Sequence, residues 1–312
     1  MDAEDWIESI IRALMCLIGI IGNNWLGFSS LPKSKSQLKT NDVLFINLAL
    51  SNLITNYLVD LPDTMADFAD RWFLGELYCG IFRFCADLSE TSSIFSTLFI
   101  SIFWYQKLVG SLKRGGAPVR LDNLRLVAAL LGGSWMVAIV FSVPHFFFAT
   151  VKSENESSED CLDLYPSALA MQAYETTYLT LANAVPIAGI VFASLQIVVT
   201  LLKNQKRIKN HSTEVNGGAP KVPGAETKNT AGTETRSNPS SGNQVRAAKS
   251  VVAVASVFLV CWLTHLLLRI TSSVKKSSLV VEIASYIAAS YTCIIPYIFL
   301  HGVKKLSCSC KR

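Results

Sequence analysis

Long apolar stretches separated by short polar ones dominate the chain. Seven stretches can be marked, at residues 6–29, 42–61, 79–107, 124–148, 174–202, 247–269 and 281–300. Each reaches the roughly 20 residues that an α-helix needs to cross the hydrocarbon core of a membrane. A helix also satisfies its own backbone hydrogen bonds, which lipid cannot do. The pattern therefore predicts an all-α membrane protein, a bundle of seven transmembrane helices. The period-two alternation of a membrane β-barrel is absent.

The basic residues predict how the bundle is oriented. Of the 28 Lys and Arg residues, 21 lie in the first, third and fifth connections with their adjoining helix ends, or after the last stretch. Cytoplasmic segments carry such an excess in membrane proteins. We therefore expect residues 1–5 outside the cell, a membrane domain over 6–302 and a cytosolic tail over 303–312. The N-terminal sequence has no basic region or cleavage site, so the first helix is expected to be the targeting signal.

The connection 203–249 is the longest and the most polar. Its middle, 211–243, is rich in Gly, Pro, Ser, Thr and Asn, and is predicted to be largely disordered because it cannot bury enough apolar surface. Lys206 and Arg207 before it indicate that the fifth helix extends into the cytosol. These two residues could act only as a positive-inside anchor, or they could also contact a cytosolic partner.

Composition narrows the class of function. Apolar residues make up 51% of the chain and charged residues 16%, against about 25% charged in soluble domains. The net charge is +5, but the basic residues form no basic domain, so no nucleic-acid partner is expected. Metal-ligand spacings, nucleophile triads and phosphate-binding loops are absent, so neither an enzyme nor a cofactor is expected. The seventh stretch lacks the lysine of a retinal-binding pump.

Charged residues within the stretches mark a candidate ligand pocket. Arg83, Asp87 and Glu90 follow one another at spacings of four and three, and so share one helix face. Charges at this depth usually face the bundle interior or a water-filled cavity. Further candidates on other helices are Arg12, Glu175, Tyr178, Trp262, His265, Arg269, Glu282 and Tyr286. Alternatively, ion pairs such as that of Arg83 with Asp87 only fix helix packing.

Two cysteines are predicted to lie outside the cell. Cys79 begins the third helix, and Cys161 lies in the connection between the fourth and fifth. In an oxidising compartment a disulfide can form and persist, and it would hold this loop across the mouth of the bundle. Two unpaired thiols are the alternative.

Two kinds of modification site follow from the same topology. Asn155 begins a glycosylation sequon in the outer loop, whereas Asn210 begins one on the cytosolic side and should stay unmodified. Cys308 and Cys310 follow the seventh helix beside basic residues. They could be palmitoylated or remain reduced thiols.

Residues at fixed places in the stretches resemble the rhodopsin-type receptors: Gly22-Asn23, Asn47-Leu48-Ala49, Trp72, Cys79, Trp135, Pro186, Cys261-Trp262 and Pro296. This resemblance covers the whole membrane portion. It implies a G-protein-coupled receptor with a ligand pocket open to the outside. It also implies that a heterotrimeric G protein binds at the cytosolic ends of helices three, five and six, facing Trp104, Tyr105, Lys107, Lys206 and Arg207.

Several positions depart from that family. Asn52 stands where Asp is usual, and Phe103-Trp104-Tyr105 stands where Asp-Arg-Tyr is expected. Thr264 replaces the proline after Cys261-Trp262, and Ile295-Pro296 replaces Asn-Pro. The usual arginine switch therefore cannot operate in this chain.

One subgroup tolerates such losses: the type 1 vomeronasal receptors and the fish olfactory receptors class A-related. Residues 85–89 and 105–114 are similar to that subgroup. The resemblance implies a pheromone or odorant receptor in the plasma membrane of sensory neurons, surrounded by lipid and coupled to an inhibitory-type G protein. Alternatives are a receptor for an endogenous small ligand and a membrane transporter. The ligand's charge stays open, because an amine would suit Asp87 or Glu90 and an organic acid Arg83 or Arg269.

Overall fold

The computed structural model describes residues 3–32, 34, 38–113, 119–155, 158–217, 239–271, 286–287 and 289–302. Among the described residues, the helices follow the predicted apolar stretches, and several helices extend past the ends of those stretches. In the described part of the chain, four segments are long and apolar enough to cross a membrane by length and composition: Thr40–Ala69, Leu124–Phe148, Ala168–Lys206 and Val245–Thr264.

We number the membrane helices first to seventh along the chain. The continuous ones are the first, α1 (Ala3–Ser30), the third, α4 (Gly75–Lys113), and the sixth, α9 (Pro239–Thr271). The second consists of α2 (Thr40–Thr55), a π-helical segment (Asn56–Asp60) and α3 (Leu61–Ala69). The fourth is α5 (Leu124–Ser142) followed by α6 (His145–Phe148). The fifth consists of α7 (Ala168–Thr177), a π-helical segment (Tyr178–Ala184) and α8 (Val185–Gly217). Of the seventh, α10 (Tyr291–Gly302) and a few helical residues before it are described.

The long polar connection is helical at both of its ends. The fifth membrane helix continues to Gly217, and the sixth begins at Pro239. Residues 211–217 and 239–243, for which composition predicts disorder, therefore belong to helices. Residues 218–238 lie outside the described part of the chain.

The third membrane helix lies at the centre of the bundle. It contacts the second, fourth, fifth and sixth helices, while the first helix packs against the second and the seventh. Large apolar side chains fill the cytosolic half between them, and Phe45, Ile100, Phe103 and Phe299 are almost fully buried. The rings of Phe45 and Phe299 lie 4.9 Å apart, which joins the second helix to the seventh.

A buried network of neutral polar side chains crosses the middle of the bundle. Asn52 donates to Asn23 Oδ1 (3.0 Å) and accepts from Ser93 (2.8 Å). Asn23 in turn donates to the Thr292 carbonyl (2.9 Å). The network ties the first, second, third and seventh helices together. Where lipid offers no hydrogen bonds, such side-chain bonds help to fix helix–helix packing.

The outer loop between the fourth and fifth helices forms a β-hairpin, which sequence analysis did not predict. Strand β1 (Ala149–Asn155) pairs antiparallel with β2 (Ser158–Asp163). Cys161 of β2 forms a disulfide with Cys79, which confirms the predicted bond. The Trp72 backbone N–H donates to the Glu159 carbonyl (2.6 Å), and its buried ring packs beside Cys79. The hairpin is therefore fastened over the outer end of the third helix.

Candidate functional site

The structure places the three charged residues predicted for the pocket from the third helix in three different surroundings. Arg83 turns to the hairpin, where it donates to the Cys161 carbonyl (2.6 Å) and approaches Asp163 (3.9 Å). Asp87 lies within hydrogen-bond distance of His145 of the fourth helix and Tyr174 of the fifth, and not against Arg83. Glu90 lies deeper and accepts a bond from the Tyr178 hydroxyl (2.9 Å). The predicted shared stripe is therefore divided between a loop anchor, a helix junction and a cavity wall.

His145 joins the third helix, the fourth helix and the hairpin. Its Nε2 lies 2.9 Å from Asp87 Oδ2, and its Nδ1 lies 2.9 Å from Asp163 Oδ1. Tyr174 of the fifth helix donates to Phe141 O (2.6 Å), and its hydroxyl lies 3.0 Å from Asp87 Oδ2. The ring thus lies between two carboxylates, an arrangement that fits a protonated imidazole, which donates from both nitrogens. His145 was not among the predicted site residues, although an ionisable residue within a membrane stretch often marks a functional site.

The central cavity has a volume of about 360 Å³ and lies between the second, third, fifth, sixth and seventh helices. Glu90 and Trp262, both predicted, line it. Asp60 of the second helix also lines it and was missed, although an acid inside the second apolar stretch was visible. The remaining described walls are largely apolar or aromatic, including Phe258 and Tyr291. The cavity can hold a small molecule that presents a polar group to the two carboxylates.

A smaller cavity of about 120 Å³ adjoins the central one and shares Asp60 with it. Tyr286, a predicted site residue, and Arg12 line it. Arg12 is held by Glu8 (2.9 Å), Asp63 (2.9 Å) and Asp67 (3.4 Å). The charge of Arg12 is thus already surrounded by three carboxylates.

Other predicted pocket residues fall elsewhere. Tyr178 is buried behind Glu90 and stacks on Tyr174 with ring centroids 6.2 Å apart. Arg83 lines a third, outer cavity of about 700 Å³ beneath the hairpin, and Asp87 and Glu175 are absent from the described linings of the three cavities. His265 and Arg269 lie on the sixth helix with side chains outside the described residues, as is all of Glu282.

Comparison with known proteins identifies the family. Residues 24–299 match the family described as 7 transmembrane receptor (rhodopsin family). The chain belongs to that family. It is a rhodopsin-like, multi-pass membrane receptor, a class that binds a ligand, activates a heterotrimeric G protein and performs no enzymatic reaction.

The family members that resemble this receptor do so at low identity. The B2 bradykinin receptor of Cavia porcellus is 24% identical over 96% of this chain and 77% of its own length. The neuropeptide Y receptor type 6 of Mus musculus is 25% identical over 64% of this chain and 55% of its own, so this chain spans little more than half of that receptor. The crystal structure of squid rhodopsin superposes with a TM-score of 0.72 at 17% identity, covering 97% of this chain and 83% of that one.

At the cytosolic end of the receptor, the structure places the predicted G-protein-facing residues differently from one another. Trp104 is only 7% exposed and packs edge-on against Phe103 in the core, so its ring does not form an open surface as expected. Lys107 lies over both rings, with Nζ 4.9 Å from the Phe103 centroid, while Tyr105 is half-buried. Lys206 is exposed on the extended fifth helix, and the side chain of Arg207 lies outside the described residues. Burial of a large aromatic side chain stabilises the folded protein more than exposure does, which accounts for the buried position of the Trp104 ring.

The modification sites of the receptor stay predictions. Asn155 is the last residue of β1, at the tip of the hairpin, and its side chain is not described. Asn210 lies on the cytosolic extension of the fifth helix. Cys308 and Cys310 lie outside the described residues.

Proposed function

We propose that this receptor is a chemosensory receptor that binds a small polar molecule in its central cavity and activates an inhibitory-type G protein. The observation that carries the proposal is the cavity itself, at about 360 Å³ near the lower end of small-molecule sites. Asn52 and Phe103-Trp104-Tyr105 support the vomeronasal-type resemblance, because that subgroup tolerates such departures. The proposal includes the plasma membrane of sensory neurons as the site of action.

Ligand and G protein must be coupled through the bundle, because their sites lie at opposite ends of the helices. A ligand changes the equilibrium between inactive and active bundles only by binding the active one better. Moving such an equilibrium from 1:99 to 99:1 requires about 5.5 kcal/mol of differential binding. Trp262 supports a role in this coupling, since it lines the cavity and packs against the apolar core below.

A peptide receptor is the second candidate. The relatives named for bradykinin and neuropeptide Y favour it. So does the outer cavity, which is roughly twice as large as the central one, at about 700 Å³. A peptide would be expected to contact the hairpin and the outer ends of the first three helices, whereas a small molecule would contact the central cavity.

Filling the central cavity with a larger side chain tests the proposal. Ala86 lines the central cavity, whereas Ala128 is exposed on the outer face of the fourth helix. In cells that express the receptor with a promiscuous G protein, a library of small molecules and peptides is screened by calcium signal. We expect small molecules to act as agonists. Their calcium response should be lost in Ala86→Phe and kept in Ala128→Phe at equal surface expression.

Inhibition of cAMP synthesis by the same agonists tests the G-protein class. Labelling of the transcript in olfactory tissue tests the sensory role. Agonism confined to peptides, and unchanged by Ala86→Phe, would establish the second candidate in place of the first.

A further inference from the structure

We infer that the receptor carries a binding site for an anionic phospholipid, in a groove on the outer face of the sixth and seventh helices at their cytosolic ends. The groove has a volume of about 740 Å³ and shares no described lining residue with the three cavities above. The inference goes beyond the proposed function, because it concerns the membrane around the bundle and not the molecule that activates the receptor.

The groove lies on the outside of the bundle. The seventh helix packs between the sixth and the first. Ala253 of the sixth helix, Ile294 of the seventh and Ile18 of the first line the groove, and all three side chains are exposed. In a bundle surrounded by lipid, exposed apolar side chains at membrane depth face the acyl chains. The groove is therefore open to molecules that lie within the membrane.

Contacts between neighbouring helices fix the walls of the groove. Ser250 of the sixth helix is buried against Gly302 of the seventh, where a Cβ on Gly302 would overlap the serine hydroxyl. On the other side, the Tyr297 hydroxyl donates to Ile18 O (3.0 Å), which joins the seventh helix to the first. Because both contacts hold the helices at set distances, the groove is formed before anything binds in it.

The length of the groove matches one leaflet of the membrane. Its lining on the seventh helix extends from Cys293 to Gly302, which at 1.5 Å per residue is roughly 14 Å. The hydrocarbon of one leaflet is about 15 Å thick, half of the whole core. In the predicted orientation Gly302 lies at the cytosolic end of the helix. The groove thus covers the depth that the acyl chains of the inner leaflet occupy.

The cytosolic mouth of the groove carries positive charge. Arg246 and Lys249 line it from the same face of the sixth helix, and the described lining contains no Asp or Glu. Arg246 Nε donates to the Gly302 carbonyl (3.1 Å), which holds the guanidinium beside the end of the seventh helix. An arginine has five N–H donors in a planar fork that matches a phosphate. Residues 303–312, which follow directly, contain four bases and no acid.

Apolar walls below a basic mouth select a molecule that has both acyl chains and an anionic headgroup. The cytoplasmic leaflet is rich in anionic lipids, and basic residues near its surface attract their headgroups. A phosphate ion in solution would contact the mouth alone. A phosphatidylcholine would fill the walls but bring a positive choline group to two positive side chains. An anionic phospholipid matches both parts of the groove.

Titration of the full-length receptor with lipid, followed by native mass spectrometry in detergent, tests the inference. Phosphatidylserine is compared with phosphatidylcholine of the same acyl chains, so that only the headgroup differs. We expect phosphatidylserine to bind about tenfold more tightly, equivalent to about 1.4 kcal/mol. Equal binding of the two lipids would overturn the inference. Displacement of phosphatidylserine by inorganic phosphate would also overturn it, because the site would then bind an anion and not a lipid.

Two matched pairs of substitutions test whether the charge of the groove itself selects the lipid. Arg246→Gln with Lys249→Gln should reduce the preference for phosphatidylserine to about threefold or less. Arg125→Gln with Lys203→Gln removes the same two charges from exposed positions at the cytosolic ends of the fourth and fifth helices, and should leave the preference unchanged. An equal loss in both double variants would show attraction to a basic surface in general and overturn the inference.

The apolar part of the groove is tested in a receptor that keeps both bases, which also serves if the Arg246 variant fails to fold. Ala253→Phe fills the groove and should weaken phosphatidylserine binding about tenfold. Ala129→Phe adds the same ring at an exposed position on the fourth helix and should leave binding unchanged. Undiminished binding in Ala253→Phe would place the lipid elsewhere.

The receptor's own tail is the competing occupant, because Cys308 and Cys310 are candidate palmitoylation sites. The titration is therefore repeated with Cys308→Ser and Cys310→Ser together, and the same preference for phosphatidylserine supports the inference. A preference seen only in this serine variant would show that a palmitoyl chain fills the groove of the native receptor, and would overturn it. None of these outcomes affects the chemosensory proposal, which is tested by the response to agonists.

Discussion

Removing the His145 ring should destabilise the receptor through the two carboxylates that it leaves behind. Asp87 and Asp163 side chains are only 18% and 15% exposed, and His145 itself is 7% exposed. His145→Phe keeps an aromatic ring at this position, although a somewhat larger one, and removes both hydrogen bonds. Breaking a buried ion pair by removal of one partner costs about 3–5 kcal/mol. Because the carboxylates keep some contact with water, we expect the lower end, about 3 kcal/mol of unfolding free energy.

The expected rescue makes this prediction specific. An unpaired carboxylate costs far more to bury than a neutral amide does. Adding Asp87→Asn and Asp163→Asn to His145→Phe should therefore recover more than half of the loss. His301→Phe is the matched control, because His301 is exposed at the end of the seventh helix.

The assay is the free energy of unfolding of purified receptor in detergent, with surface expression as a second readout. A triple variant no more stable than His145→Phe alone would refute the reasoning, since the loss would then come from packing and not from unpaired charge. An unaffected His145→Phe receptor would show that the bridge between the hairpin and the third helix contributes nothing measurable.

Two further predictions concern the outer loop. Glycosidase should change the gel mobility of the wild-type receptor and of Asn210→Gln but not of Asn155→Gln, and dependence on Asn210 alone would invert the topology. Cys79→Ala and Cys161→Ala should lower surface expression equally, because each removes the same bond, typically worth about 2–5 kcal/mol, and the double variant should be no worse. Full expression of either single variant, or an additive loss in the double, contradicts that reading.

The sequence predicts the structure well where a single local pattern determines the fold of a segment. Uninterrupted apolar stretches predict the helices, because the membrane leaves the backbone few alternatives. Cys79 and Cys161 could be paired because topology places both outside. Glu90 and Trp262, chosen from helical spacing and from the family pattern, both line the central cavity, and their role in ligand binding stays a prediction.

The residues whose positions were not predicted lie where segments distant along the chain come together. His145 has meaning only because Asp87 and Asp163, 58 residues before it and 18 after it, converge on its two nitrogens. Asp87 was predicted to line the ligand pocket because its spacing places it on the same helix face as Arg83 and Glu90. Spacing does not show which neighbouring helix covers that face. Trp104 was placed on the cytosolic surface by family position, whereas its ring packs into the core.

The two π-helical segments give the second and fifth helices a property that point substitutions cannot reproduce. Each turn there holds an extra residue relative to the α-helix, and a residue corresponds to about 100° of rotation. Deleting one residue between Asn56 and Asp60, or between Tyr178 and Ala184, would restore a regular ladder and turn one half of the helix against the other. A single-codon insertion or deletion could therefore exchange a whole set of inward-facing side chains at once, giving related receptors a short evolutionary route to different ligands.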